Sequence, residues 1–203
     1  MRTFIITAAV SLLAAGSAIA QQATPDQVAK AVAAAWKNLT PELQARVDQD
    51  TSMKICSETK NNPSKAQAEE IVKEAKAAIV YPADGKFMGD WKKGEKGSLD
   101  GYGFRMGDDP KRAAGGNCYA CHQMSPKEIS FGTLGPPLLG YGKLKGNTPE
   151  AQKEVYEKIY NSQAVLACSN MPRFGHNKVI SVEGIKDYVA FLLDPESPVN
   201  KGK

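Results

Sequence analysis

The chain has 203 residues, with 26 Lys and Arg against 22 Asp and Glu and a formal net charge of +4. A balance that small, with both signs interspersed and no long basic run, excludes a nucleic-acid-binding footprint. Four cysteines and two histidines are few enough that the placement of each one matters.

Arg2 is followed by an uncharged run, "TFIITAAVSLLAAGSAIA". One positive charge, an apolar core of about a dozen residues and Ala18-Ile19-Ala20 before Gln21 predict a cleaved signal peptide over residues 1–20. A membrane span needs about 20 apolar residues; this run is shorter and ends in small residues. Gln21 stands where a lipoprotein would carry cysteine, so no membrane anchor is indicated, and no later stretch is apolar enough to span. The expected location is the periplasm, where disulfides persist. What remains is long enough for one large domain, or for a small domain with a sizeable extension.

Residues 21–84 read as a helical extension. Asp26 is a candidate cap for "DQVAKAVAAAWKNL", with Val28, Val32, Ala35 and Leu39 on one face. Thr40-Pro41 restarts a helix at "PELQARV", and Ser64 caps a third in which Ala68, Ile71, Val72 and Ala75 recur at helical spacing. The stripes are thin, so these helices are expected to pack on something else. Pro82 closes this section. The next segment is loop-rich, with one short helix around Trp91 to Lys96, and "GTLGPPLLGYG" is too rich in glycine and proline for a helix. Two further helices follow: one capped by Thr148 with Pro149 in its first turn, and one starting at Ser181 with Ile185, Val189 and Leu192 on one side. No internal repeat and no strand is predicted.

Chemistry concentrates in "GGNCYACHQ", residues 115–123. A redox dithiol has the same cysteine spacing but needs a βαβ context, and a zinc site needs a second pair of ligands at matching spacing. A disulfide between Cys118 and Cys121 leaves His122 without a role. Covalent attachment of one haem c uses all three residues: the thiols add to the porphyrin vinyl groups and the imidazole binds iron. Candidates for the opposite axial position are Met171, in the loop "MPRFG", and His176; Met124 is too close to the attachment site to reach the other haem face. Met171 is preferred, because a loop just before the last helix can bring a side chain over the ring. His/Met ligation raises the reduction potential relative to two histidines. Cys56 and Cys168 are left, and in an oxidising compartment they most simply pair; the alternative is Cys168 as a reactive thiol or ligand near the haem. No base-plus-nucleophile arrangement is present, so no catalytic residue is assigned.

"GPPL" at 135–138 resembles the GPxL loop of class I cytochromes c, which implies that the Pro136 carbonyl accepts a hydrogen bond from the ligand imidazole. "GDWKKGEK", "GGNCYACHQ", "LGPPLLGYG", "MPRFG" and "IKDYVAFLLDPESPVNK" together resemble the SoxX family, the small monohaem subunits of Sox thiosulfate-oxidation systems. The likeness covers about residues 85–201 and is weaker over 21–80. It implies an all-α fold, with a class I cytochrome c-like haem domain over 85–203 behind the helical extension. It also implies a heterodimer with a SoxA-type haem subunit that carries the catalytic haem. The complex, an L-cysteine S-thiosulfotransferase, joins thiosulfate oxidatively to a cysteine of a carrier protein, and this chain is then its electron-accepting subunit. The alternative is a free-standing diffusible cytochrome, against which stands the long extension, residues 21–84, ahead of the haem domain.

Overall fold

The computed structural model describes residues 23–103, 105, 107–109 and 111–201, so the expected signal peptide lies outside the described residues. Regular structure among the described residues is helical throughout, with no strand. The chain divides into two compact units, Met1–Val47 and Asp48–Lys203. The boundary read from the sequence, between 84 and 85, falls inside the second.

The first unit contains α1 (Pro25–Ala35) and α2 (Pro41–Val47). The cap of α1 is Thr24, not Asp26. Thr24 accepts the Gln27 amide while the Gln27 side chain accepts the Thr24 amide, a reciprocal pair that leaves Asp26 inside the first turn. Pro25 at the helix start sacrifices only an N–H that would have had no helical partner. No residue of α1 is buried.

The second unit holds α3 (Thr51–Glu58), α4 (Lys65–Ala77), α5 (Trp91–Leu99), α6 (Tyr141–Lys145), α7 (Pro149–Tyr160), α8 (Val182–Leu193) and α9 (Pro198–Lys201), with 3-10 turns at Cys118–Ala120 and Ser162–Ala164. Helix α8 is the interior element: eight of its twelve residues are buried, more than a one-sided amphipathic helix can hide. Helix α5 crosses it at close range through Gly94. A Cβ there would come 2.8 Å from the Phe191 Cβ and overlap the Asp187 backbone, so only glycine fits. The crossing is fixed at its start by Asp187 Oδ1, which accepts the Asp90 amide at 2.8 Å. Helix α7 adds Val155, Tyr156 and Ile159 to the core. Asn200 closes the far end of α8: its Nδ2 donates to the carbonyls of Leu192 (3.0 Å) and Asp194 (2.9 Å), and its Oδ1 accepts the Gly142 amide (2.8 Å). One side chain thereby ties α6 and α9 to α8.

Helix α3 packs around a small second core of Cys56, Ile71 and Cys168, and α4 bridges the two, with Ile71 in this core and Ala75 in the main one. Cys56 and Cys168 form a disulfide. Helix α3 has no counterpart among the helices expected from the sequence. It is one of the shorter helices, buries only Ser52 and Cys56, and is started by Asp50, whose carboxylate accepts the Met53 amide at 2.8 Å.

Candidate functional site

The site is assembled from two stretches of chain. The first begins at Asn117, whose left-handed backbone (φ 46°, ψ 40°) suits asparagine and turns the chain into the 3-10 segment. Amides of Cys121 and His122 both donate to the Cys118 carbonyl, at 3.1 and 2.9 Å. Residues 132–138 then run back alongside: Gly132 N–H donates to Tyr119 O, Gly135 N–H to Cys121 O and Leu138 N–H to Gln123 O, at 2.8, 2.8 and 2.7 Å. This pairing lays the His122 ring on the backbone of Gly135, where a Cβ would stand 2.6 Å from Nδ1. It also brings Nδ1 to 2.7 Å from the Pro136 carbonyl. A carbonyl can only accept, so Nδ1 carries the proton, and Nε2 keeps its lone pair for a metal.

Cys118 and Cys121 are free thiols, not joined to each other. Burial pushes the Cys118 thiol up to about 11, against a hydrogen bond involving Ser98. A thiol so raised is protonated at neutral pH.

The second stretch is 168–176. Ser162 Oγ donates to the Met171 carbonyl at 2.6 Å, and the Met171 amide donates to Ser169 Oγ at 3.3 Å. Cys168, just before, is bonded to Cys56, and Arg173, just after, donates to Asp50 Oδ2 at 2.6 Å. Burial draws the Asp50 carboxyl upward, but hydrogen bonds from the Met53 amide, Arg173 and Ser52, with the Arg173 charge, hold it below the usual carboxylate range. His176 Nε2 lies 3.8 Å from the same carboxylate oxygen. Its pKa is lowered, by burial first and the Arg173 charge second, with Asp50 opposing.

Between the two stretches lies a small apolar cleft of about 40 Å³. Cys118, His122 and Met171 all line it, and Ile159, Phe174 and Leu192 wall it from α7, the loop and α8. Leu138 and the buried Met124 add to the lining. Cys121 and His176 are not among the lining residues; Cys121 ends the 3-10 turn and His176 turns to Asp50. The cleft's metal donors are the His122 imidazole and the thioethers of Met124 and Met171, beside the Cys118 thiol, which can form a carbon–sulfur bond. Among the described residues no three His, Cys, Asp or Glu side chains gather as they would around a naked ion. Sequence reasoning missed Asp50, Arg173 and Ser162, and the only signal for any of them was the capping pattern at Asp50.

No family model matches the chain. A protein of Aquifex aeolicus (strain VF5) named "Uncharacterized lipoprotein" is 40% identical to it over 195 residues, which is 90% of each chain. With likeness of that depth along nearly the full length, the chain belongs to the family of this Aquifex lipoprotein.

Proposed function

We propose that this is an exported c-type cytochrome that passes electrons as a subunit of a SoxAX-type complex. One observation carries the haem reading: Cys118, His122 and Met171 converge on a single apolar cleft, with His122 Nδ1 held at 2.7 Å by the Pro136 carbonyl. Those residues fit haem c. Cys118 and Cys121 would hold it through two thioether bonds, His122 Nε2 and the Met171 sulfur would be the donors to its iron, and the apolar walls would pack against the macrocycle. When bound, the group supplies a one-electron Fe(III)/Fe(II) couple. The hydrogen bond at Nδ1 fixes the imidazole tautomer and its ring plane. The Met171 thioether favours the ferrous state, and the apolar walls keep water out. With His122 and Met171 both committed to the iron, no position would be left for a reactant, so electron transfer is the work these side chains would support.

The relative's name as a lipoprotein supports export. No helix among the described residues is long and apolar enough to cross a membrane. Ala18-Ile19-Ala20 followed by Gln21 supports release into the periplasm. The motifs at 89–96, 115–123, 134–142, 171–175 and 185–201 support the Sox assignment. On that reading a SoxA-type partner carries the catalytic haem. Oxidative joining of thiosulfate to the carrier cysteine releases two electrons, which this chain would relay one at a time to an external electron acceptor.

Expression of the full chain in a host that matures c-type haem tests the proposal. Haem should remain with the denatured polypeptide and be lost in Cys118→Ala/Cys121→Ala. The weak red-end band of ferric methionine ligation should vanish in Met171→Ala and persist in His176→Ala. A colourless chain with both thiols alkylatable overturns the haem reading. Preparations from a thiosulfate-grown host should retain a second haem protein, and a haem-bearing chain that stays monomeric overturns the subunit reading.

A further inference from the structure

We propose that α3 is a strap that positions Met171 by holding the chain on both sides of it, which makes Asp50 and Arg173 positioning residues for the axial thioether. The inference rests on the reading of Met171 as a haem ligand. Three residues before Met171 the chain is bonded through Cys168 to Cys56, and two residues after it Arg173 donates to Asp50 at 2.6 Å. Both anchors stand on the same eight-residue helix, Asp50 as its N-cap and Cys56 in its last turn. At 1.5 Å per residue they are about 9 Å apart along its axis. A short span pinned twice to one rigid element cannot slide or peel without breaking an anchor. Between the pins, Ser162 Oγ holds the Met171 carbonyl at 2.6 Å, so the residue whose side chain lines the cleft is the fixed midpoint.

Neither Asp50 nor Arg173 lines the cleft, so an effect of either on the thioether must pass through the loop. The Arg173 side chain is 11% exposed. A guanidinium so enclosed stays in place because a carboxylate meets it, and removal of the carboxylate leaves an uncompensated charge that favours swinging the loop outward.

Asp50→Asn separates this role from helix capping, since asparagine caps as well as aspartate but carries no charge. Ferric holoprotein is mixed with imidazole, which binds iron only when the thioether leaves. Asp50→Asn and Arg173→Gln are expected to take up imidazole about tenfold faster than wild type, the size of one charge-assisted hydrogen bond, with a red-end band that fades at lower temperature. The doubly substituted Cys56→Ser/Cys168→Ser chain should show the larger change in both. Lys65→Gln, which removes an exposed ion pair with Glu69 on α4, should match wild type. Wild-type uptake rates and an unchanged band in both Asp50→Asn and Arg173→Gln overturn the strap, as does an equal acceleration in Lys65→Gln. If the double cysteine variant does not fold, Asp50→Asn decides, because it keeps disulfide and cap. A wild-type holoprotein without the band, or a band that survives Met171→Ala, overturns the ligand reading itself and the strap with it.

Discussion

The two sides of the cleft are built on different principles. On the His122 side every fixing contact is local: the Cys118 carbonyl, the Gly135 backbone and the Pro136 carbonyl all lie within twenty residues of the imidazole. On the Met171 side the contacts that matter most cross the chain. The disulfide spans a sequence separation of 112 and the Arg173–Asp50 pair one of 123. A wall closed by neighbours keeps its geometry through any perturbation that spares the segment. A wall closed at a distance depends on the docking of a helix that belongs to the far end of the unit. The His122 side, here called proximal, is therefore the rigid half of the site, and the Met171 side, here called distal, is the half whose geometry depends on the stability of the fold.

The sharpest way to break that asymmetry is to cut the longest connection. Removal of the Cys56–Cys168 bond, by substitution or by a thiol reductant, is expected to lower unfolding stability by about 2–5 kcal/mol, because the bond closes a very long loop of the unfolded chain. Urea unfolding with and without reductant measures it. An unchanged midpoint would mean that the distal wall is held by Asp50 and Ser162 alone. The converse experiment acts on the rigid half. Gly135→Ala places a methyl group against the His122 ring, and overpacking of this kind costs about 1–3 kcal/mol. Its signature should be local: loss of the slowly exchanging Nδ1 proton of His122 in the NMR spectrum, with the disulfide and the Arg173–Asp50 pair intact. If the ring keeps that proton, the backbone at 135 yields more readily than the close approach implies.

The same contrast explains what could be read from the sequence. Cys118, Cys121 and His122 stand out in the sequence by their spacing, and the contact of His122 with the Pro136 carbonyl could be anticipated because the loop lies close downstream. Helices α4, α7 and α8 announce themselves by Ser64, Thr148 and Ser181, each accepting an amide of the first turn. Helix α3 is illegible for a physical reason: at eight residues, with two of them buried, it has no stripe long enough to show a period. The partnership of Asp50 with Arg173 leaves no local trace at all. The boundary at 84/85 had the same cause. Thin stripes on α4 look like a surface extension, whereas Ile71 and Ala75 bury fully against two separate cores within the unit that starts at Asp48. The disulfide itself is reachable by elimination in an oxidising compartment, and Cys168, three residues before Met171, already marks it as a restraint on the methionine loop.

The smallest effect expected is one of pH, and it again concerns the distal side. His176, shielded by burial and faced by the Arg173 guanidinium, has a pKa lowered from 6.5. The unfolded chain therefore takes up the proton before the folded one does. Stability supplied by the neutral imidazole is complete above 6.5 and drains away as the pH falls below it, until the folded form is protonated as well. Asp50 gives a second step of the same sign at lower pH: its folded pKa is depressed from 3.8, so its contribution is present above that value and is lost as the pH drops through the lower one. Both groups are partly exposed, and after screening by solvent each step should stay below about 1 kcal/mol. Urea midpoints measured from pH 8 to pH 3 should fall in two stages, with His176→Gln removing the first and Asp50→Asn the second. If His176→Gln leaves the upper stage in place, the imidazole is better solvated than its position between Arg173 and Asp50 implies. The proximal side, where His122 donates to a carbonyl that never titrates, offers no counterpart to Asp50.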